Sequence, residues 1–265
     1  MRCLVLILLL LASTIWAGPM EDAAAANSRG DYAAELRITR PLAAKGVAWA
    51  QSNFGATHEN GHGVVQNYAE AVKWFRLAAA QGYAVAQYNL GIMYDRGRGV
   101  AQNNAEALKW YRLAAAQGNA LAQSNLGAMY VSAQGVAQDN VEAVKWFRLA
   151  AAQGHIVAQF NLGLMYEKEQ GVAQDYAEAL RWHRMAAAQG NGSAQTNLGA
   201  MYANGDGVVQ NYVRAYMWST VSAESGRASG VRVRDFVAAK MTPLQIAEAQ
   251  KLARECQQRK FKGCD

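Results

Sequence analysis

Apolar residues recur along most of the chain at intervals of three and four positions, and short polar segments that contain glycine interrupt them. One such set is Ala71, Trp74 and Ala78, and another includes Leu90 and Met93. This spacing places apolar side chains on one face of a helix, whereas a strand would show alternation. With only three prolines in 265 residues, the pattern predicts an all-α chain.

Two sequence blocks repeat at a constant interval of 36 residues. Copies of the first block begin at Ala50, Ala86, Ala122, Ala158 and Ala194. Copies of the second begin at Ala69, Ala105, Val141 and Ala177, with a degenerate copy from Val213. Each copy is long enough for one helix of a pair, so the sequence predicts five stacked helix pairs. We place the repeats at residues 47–82, 83–118, 119–154, 155–190 and 191–226.

Capping residues mark the ends of the predicted helices. Asn67 stands three residues before Glu70, and Asp139 stands three residues before Glu142, which is the spacing of a capping box. Glycines close the second helix of four repeats, at Gly82, Gly118, Gly154 and Gly190. These signals predict two helices of about 13 residues in every repeat, which are too short to be stable in isolation.

Two further columns of residues predict how the helices pack. A glycine stands inside the first helix of every repeat, at Gly55, Gly91, Gly127, Gly163 and Gly199. Glycine costs a helix about 1 kcal/mol relative to alanine, so we expect close helix packing at this position. A tryptophan stands in every second helix, at Trp74, Trp110, Trp146, Trp182 and Trp218, and we expect this column to lie in the core.

The two ends of the chain depart from the repeat. Residues 18–29 are predicted to be a flexible segment and residues 30–46 a capping helix. Residues 227–265 are predicted to form a C-terminal helical cap. Within that cap, Thr242 and Pro243 have the sequence of an N-cap followed by proline at the first helical position, which opens a final helix to about Gln258.

Residues 1–17 have the layout of a secretory signal peptide, with Arg2 before an apolar stretch and small residues at its end. We expect cleavage after Ala17 and a periplasmic or secreted protein. The remaining sequence has no apolar run long enough for a membrane span. Cys256 and Cys264 would then remain as an even pair in an oxidising compartment, and the sequence leaves either a disulfide or two free thiols.

The formal net charge is +6, but the basic residues are distributed along the chain. Lysine or arginine recurs at one repeat position (Lys73, Lys109, Lys145, Arg181), and arginine at another (Arg76, Arg112, Arg148, Arg184). Such columns are typical of the solvated face of a helix. The sequence therefore favours no nucleic-acid partner.

The repeats resemble those of the Sel-1-like repeat family, relatives of the tetratricopeptide solenoids. The resemblance rests on an A-Q-x-N-L-G-x-M-Y helix, a G-x-G-V loop and an E-A-x-K-W-x-R-x-A-A-x-Q-G helix, and it covers about two thirds of the chain. It implies a right-handed alpha-alpha superhelix and a scaffold or adaptor that binds a client protein in association with cell-envelope complexes. Ala133 and Glu169 depart from the pattern by replacing the first loop glycine, so we expect those two loops to be reshaped.

Side chains that vary between repeats lie on one face of the first helices, which predicts a groove for a client protein or peptide. Tyr88 and Phe160 are its predicted aromatic anchors, and packing within the repeat is the alternative for both. An asparagine beside this stripe recurs in every repeat, and it either contacts the ligand or bridges neighbouring helices. The predicted groove residues are Tyr88, Asn89, Ile92, Ser124, Asn125, Phe160, Asn161, Leu164 and Asn197.

The sequence contains no constellation that predicts catalysis, a cofactor or a metal site. His58-Glu59-Asn60-Gly61-His62 matches the H-E-x-x-H metalloprotease pattern, but Gly61 belongs to a predicted loop, and zinc catalysis needs both histidines on one helix. His155 and His183 have no cysteine or carboxylate at a diagnostic spacing. The family resemblance leaves two alternatives to a non-enzymatic scaffold: a β-lactam-binding or cell-wall-modifying enzyme, as implied by cysteine-rich members of the family, and a secreted effector.

Overall fold

A computed structural model describes residues 18–264 of the chain, so the predicted signal peptide and its cleavage site lie outside the described residues. Residues 18–264 form fourteen helices and no strand. The helices are α1 (18–28), α2 (Tyr32–Ala44), α3 (Ala48–Asn60), α4 (Tyr68–Ala80), α5 (Ala84–Arg96), α6 (Asn104–Ala116), α7 (Ala120–Ser132), α8 (Asn140–Ala152), α9 (Ile156–Glu167), α10 (Tyr176–Ala187), α11 (Gly192–Asn204), α12 (Tyr212–Glu224), α13 (Ala228–Ala238) and α14 (Pro243–Gln258).

The chain forms two compact units. The described part of the first unit comprises residues 18–122 and 134–136, and that of the second comprises 123–133 and 137–264. In the first unit, α2 packs on α3, α3 on α4, α4 on α5 and α5 on α6. In the second unit, the same succession runs from α8 to α12, and α13 and α14 both pack on α12.

The prediction of a flexible segment at residues 18–29 is wrong, because residues 18–28 form α1. Ala23 and Ala26 of this helix are buried, and Ala23 joins a core cluster with Trp49 and Phe54. An alanine-rich segment has high helix propensity, and burial of its small side chains stabilises the helix further. The predicted capping helix of residues 30–46 corresponds to α2.

The second helices begin as predicted, although not with a complete capping box. The side chain of Asn67 accepts a hydrogen bond from the backbone N–H of Glu70 at 3.0 Å, and Asp139 accepts one from Glu142 at 2.9 Å. The glutamate carboxylates do not complete the box. That of Glu70 accepts a hydrogen bond from Lys73 at 2.8 Å instead, because residues three apart on a helix are neighbours. A complete capping box forms at Thr242 and Gln245 of α14.

The two loops that were expected to be reshaped keep the positive φ of the first loop glycine, although α9 ends one residue earlier, with Lys168 as its C-cap. Gly61, Gly97 and Gly205 end the first helices of their repeats in the left-handed conformation. Ala133 and Glu169 adopt the same conformation without the freedom of glycine, with φ of 56° and 55°. A side chain in this region costs free energy, so the repeat packing imposes the loop shape on residues that do not favour it.

The glycine column does mark close helix packing. A Cβ atom on Gly55 would lie 2.8 Å from the ring of Phe75, and one on Gly91 would lie 2.6 Å from that of Tyr111. In the fourth repeat the ring that meets the glycine is that of His183, which is fully buried. In the first four pairs the ring that meets the glycine therefore lies one residue after the tryptophan, whereas Ser219 stands at this position in the fifth pair. Of the tryptophan column, Trp182 and Trp218 are buried, and Trp74, Trp110 and Trp146 are half-buried.

Buried glutamines connect successive helices. Gln159 donates a hydrogen bond to the carbonyl of Ala151 in the preceding second helix at 3.2 Å. It accepts one from Gln189 at the end of the following second helix at 2.8 Å. Gln87 makes the equivalent pair of bonds in the first unit, with Ala79 and Gln117. A buried amide needs such partners, and each glutamine thereby fixes the position of two neighbouring helices.

In the region predicted to be a C-terminal helical cap, α13 and α14 both pack on α12, and residue 265 lies outside the described residues. Cys256 in α14 is buried and is joined to Cys264 by a disulfide bond with a Cα–Cα distance of 5.2 Å. The bond ties the last described residues of the chain to α14, which itself packs on α12.

Candidate functional site

The two predicted aromatic anchors are half-buried, and each packs on a ring of its own repeat. The ring centroid of Tyr88 in α5 lies 5.9 Å from that of Tyr111. The ring centroid of Phe160 in α9 lies 5.6 Å from that of His183. Each anchor thus contributes to repeat packing and also keeps part of its ring exposed. Tyr88 lies in the first unit and Phe160 in the second, so each anchor is described within its own unit.

Ser124 was predicted to line the groove, but its side chain is only 3% exposed. The prediction is wrong for this residue. Ser124 occupies the same repeat position as Tyr88 and Phe160, but its side chain is small and its neighbours cover it. The other predicted groove residues, Asn89, Ile92, Asn125, Asn161, Leu164 and Asn197, are partly exposed.

The recurring asparagines separate into two groups. The side chains of Asn53, Asn89, Asn125 and Asn161 form no hydrogen bond with any described residue, although all four are partly buried. The hydroxyl of Thr57 donates a hydrogen bond to the backbone carbonyl of Asn53, and this bond does not involve the Asn53 side chain. The bridge between neighbouring helices that was one alternative for this column is therefore not formed at these positions. Their amides offer a donor and an acceptor each to a bound molecule.

Asn161 lines a pocket of the second unit that has a volume of about 160 Å³. Ala128 and Val131 of α7 form one wall, and Leu164 and Met165 of α9 form the other. Phe147 of α8 closes its floor with a fully buried ring. The pocket combines apolar walls with the amides of Asn161 and Gln170, and neither side chain forms a hydrogen bond with a described residue. A few polar groups among apolar walls are typical of ligand-binding pockets.

Asn197, the next asparagine of the column, lies in a polar cluster instead. Its Nδ2 lies 3.3 Å from Nε2 of His183, and the same Nε2 lies 3.3 Å from a carboxylate oxygen of Glu167. Nε2 carries either a proton, which only the carboxylate of Glu167 can accept, or a lone pair, which only the amide N–H of Asn197 can use. The hydrogen bond to the carboxylate is the stronger of the two. We therefore assign the tautomer with the proton on Nε2, which leaves the buried Nδ1 as an unpartnered lone pair.

Sequence spacing did not reveal this cluster. His183 was expected to have no cysteine or carboxylate at a diagnostic sequence spacing, and Glu167 lies beside it only because α9 and α10 pack together. His183 stands where other repeats have Phe75, Tyr111 and Phe147, so the exchange of an aromatic ring for an imidazole within the column was the available signal.

The H-E-x-x-H segment does not form a zinc site. α3 ends at Asn60, Gly61 adopts φ of 72°, and His62 stacks on Tyr32 with a centroid distance of 4.0 Å. Glu59 lies 3.8 Å from Arg98, and burial raises the pKa of its carboxyl. Within residues 18–264, no three or more His, Cys, Asp or Glu side chains are grouped as a metal site would require.

The arginines of one basic column form hydrogen bonds between helices, in addition to being partly exposed to solvent. Arg76 donates a hydrogen bond to the hydroxyl of Tyr94 at 2.8 Å, and Arg148 donates one to Tyr166 at 2.6 Å. Each bond joins a second helix to the first helix of the next repeat. The lysines at the other position pair with a glutamate three residues earlier, as Lys145 does with Glu142.

None of the described helices has the length and apolar character needed to cross a membrane.

Pairs of helices of 12 or 13 residues each, joined by buried glutamines and by loops with a positive φ, define an α-solenoid. The Sel1 repeat family model matches residues 50–83, 84–119, 120–155, 156–191 and 192–226, and the chain belongs to this family. These bounds lie within a few residues of the repeats predicted from sequence, and the predicted all-α solenoid is confirmed.

Two solved structures support the same assignment. A Sel1 repeat protein from Oxalobacter formigenes is 33% identical, with a TM-score of 0.75, over 82% of this chain and 87% of that one. The protective antigen c5321 of uropathogenic Escherichia coli, which has an SLR fold, is 30% identical with a TM-score of 0.60, over 89% of this chain and 58% of its own. The comparison with curated proteins gave no match.

Proposed function

We propose that this protein is a periplasmic scaffold that binds an extended segment of a client protein along the first helices of its repeats. Sel1 repeat proteins generally mediate protein–protein interaction, and this family scaffold is typically non-enzymatic. The observation that carries the proposal is the Asn161 pocket, where a partly buried amide has no intramolecular hydrogen bond and apolar side chains surround it.

Asn161 supplies a donor and an acceptor for one peptide unit of the client backbone. Phe160 and Leu164, on the same helix, supply apolar contact for client side chains, since half-buried aromatic residues are frequent anchors of interfaces. Tyr88, Asn89 and Ile92 repeat the arrangement in the first unit, and we propose that they bind a client segment in the same way.

The proposed location depends on the predicted signal peptide of residues 1–17 and on the disulfide bond between Cys256 and Cys264, since disulfides persist in oxidising compartments. Fractionation of cells that express the full chain tests the location. Recovery of a chain that begins at Gly18 in the periplasmic fraction supports it, and recovery from the culture medium supports the secreted-effector alternative.

Client binding is tested by cross-linked affinity capture from envelope extract, with mass spectrometry of the captured proteins. The informative variant combines Asn161→Ala with Leu164→Ala, which removes the amide and part of the apolar wall. Neither change touches a hydrogen bond of the fold, so we expect a circular dichroism spectrum like that of the wild type.

The matched control is Lys145→Ala with Leu149→Ala, which changes two exposed residues of α8. A client that the control retains and the Asn161 variant loses supports the proposed site. A client retained equally by both variants places binding on another surface, and the proposed site is then wrong. Acylation by a labelled β-lactam would instead support the enzyme alternative.

A further inference from the structure

A second and larger pocket lies in the first unit, between the N-terminal capping helix and the first repeat. Its volume is about 510 Å³. Leu36 and Arg40 of α2 line one side, Phe54 and His58 of α3 the back, and Trp74 of α4 the other side. The volume is within the range of small-molecule sites, about 300 to 1,000 Å³.

The pocket exists because one residue of a column is different. His58 stands 36 residues before Tyr94, and Arg40 stands 36 residues before Arg76. In the repeats, the tyrosine ring crosses the space between the helices and its hydroxyl accepts a hydrogen bond from the arginine, as between Arg184 and Tyr202 at 2.6 Å. The shorter imidazole of His58 does not reach Arg40 and leaves the space unfilled.

The exchange leaves polar groups without partners around the pocket. The guanidinium of Arg40 is exposed at the mouth of the pocket and forms no hydrogen bond or ion pair with any described residue. Nδ1 of His58 is buried and also has no partner. A buried polar atom without a hydrogen bond is uncommon in folded proteins and calls for a ligand or a solvent molecule.

The remaining walls are apolar and aromatic. The ring centroids of Phe54 and Trp74 are 5.0 Å apart in an edge-to-face arrangement, and that of His58 lies 4.8 Å from Phe54. Glu70 is the one carboxylate among the lining residues. Its Oε2 lies 2.8 Å from the ammonium of Lys73, which lowers the pKa of Glu70 and compensates its negative charge.

From these observations we infer that the pocket binds a small carboxylate with a flat apolar body. The guanidinium of Arg40 matches a carboxylate in charge and in its paired hydrogen-bond geometry. The aromatic walls favour a planar hydrocarbon group over an extended polar one. This site is separate from the Asn161 pocket, and the inference does not depend on the proposed client binding.

Calorimetric titration of the purified protein with phenylbutyrate tests the inference, with phenylbutylamine and phenylbutanol as the cationic and neutral counterparts. We expect phenylbutyrate to bind, the alcohol to bind more weakly and the amine to bind least. His58→Tyr recreates the residue of the other repeats, fills the pocket and provides Arg40 with a hydroxyl. We expect this variant to remain folded and to bind phenylbutyrate at least about tenfold more weakly.

Arg40→Gln separates charge from shape, because it keeps the pocket open and removes the cation. We expect this variant to bind phenylbutyrate about tenfold more weakly than the wild type and to bind phenylbutanol with unchanged affinity. Arg148→Gln, at the equivalent position in another repeat, is the control and should bind as the wild type does. Undetectable binding of phenylbutyrate to the wild type, equal binding of the amine, or unchanged affinity in a folded His58→Tyr variant would overturn the inference.

Discussion

Gly127 of α7 lies against the ring of Phe147 of α8, so closely that a Cβ atom on Gly127 would lie 2.8 Å from Cε1 of that ring. The ring is fully buried, so a methyl group added at Gly127 would have to displace it. The glycine of the first helix and the aromatic residue of the second are therefore one packing unit, repeated along the chain with Gly55 and Phe75 and with Gly91 and Tyr111.

We predict that Gly127→Ala destabilises the protein by about 1–2 kcal/mol, because overpacking outweighs the higher helix propensity of alanine. Urea unfolding measures the change in free energy. The control is Gly127→Ala in a protein that also carries Phe147→Leu, where the smaller side chain gives the new methyl group room. The loss of free energy of unfolding caused by Gly127→Ala should be smaller in that background. Equal costs in both backgrounds would show that the contact does not limit the packing.

Ala133 and Glu169 carry a conformational cost that glycine would not. Both adopt a left-handed backbone, with φ of 56° and 55°. We predict that Ala133→Gly stabilises the protein by about 0.5–1 kcal/mol, since relief of the steric cost exceeds the entropy that glycine adds to the unfolded chain. Thermal unfolding measures the stability of Ala133→Gly and of a control variant, Ala137→Gly, because Ala137 has no positive φ. A loss of stability in both variants would contradict the assignment of strain.

Gln159 is 1% exposed and bonds both to Ala151 and to Gln189. We predict that Gln159→Leu destabilises the protein by about 1–3 kcal/mol, because it leaves the buried carbonyl of Ala151 without its side-chain donor. Gln134→Leu, at an exposed position, should change the free energy of unfolding by less than about 0.5 kcal/mol. If the two substitutions have the same effect, the glutamines do not join the helices as we describe.

His155 makes stability depend on pH. Its Nδ1 accepts a hydrogen bond from the backbone N–H of Ala158 at 3.2 Å, and burial lowers the pKa of its imidazole. The unfolded chain therefore takes up a proton more readily than the folded one. The contribution of His155 is fully present above the ordinary histidine pKa of about 6.5 and is lost as the pH falls through the lower pKa of the folded state.

We predict that His155→Asn reduces the loss of stability between about pH 7 and pH 5. Asparagine keeps the cap, because Asn119 and Asn191 make the same bond at the equivalent position, each at 2.9 Å. Denaturant unfolding at a series of pH values measures the effect. An unchanged pH dependence in the variant would exclude His155 as its source.

The constant period and the capping residues were sufficient to predict the helices of the five repeats and the final helix. The final helix was expected between Pro243 and about Gln258, and α14 has these bounds with Thr242 as its cap. Residues 18–28 were not predicted, because their alanine-rich sequence lacks the repeat pattern and their helix is stabilised by burial of Ala23 and Ala26.

The site was only partly predictable from the sequence. Periodicity places Asn161 and Phe160 on one helix, but it does not show which neighbours cover a side chain, so Ser124 was wrongly expected to be accessible. Contacts between residues many positions apart, such as His183 with Glu167, depend on how helices pack. The departures within a column were the informative signal, since His58 and His183 each replace a larger aromatic side chain.

The most direct test of the central claim is photo-cross-linking in living cells with a benzophenone amino acid at position 160. The matched position is 149, because Leu149 is an exposed apolar residue on the second helix α8. We predict a discrete cross-linked adduct from position 160 that is absent from position 149 and is weakened by Asn161→Ala. An adduct from position 149 alone, or none from position 160 in a folded and exported protein, would contradict a client-binding surface on the first helices.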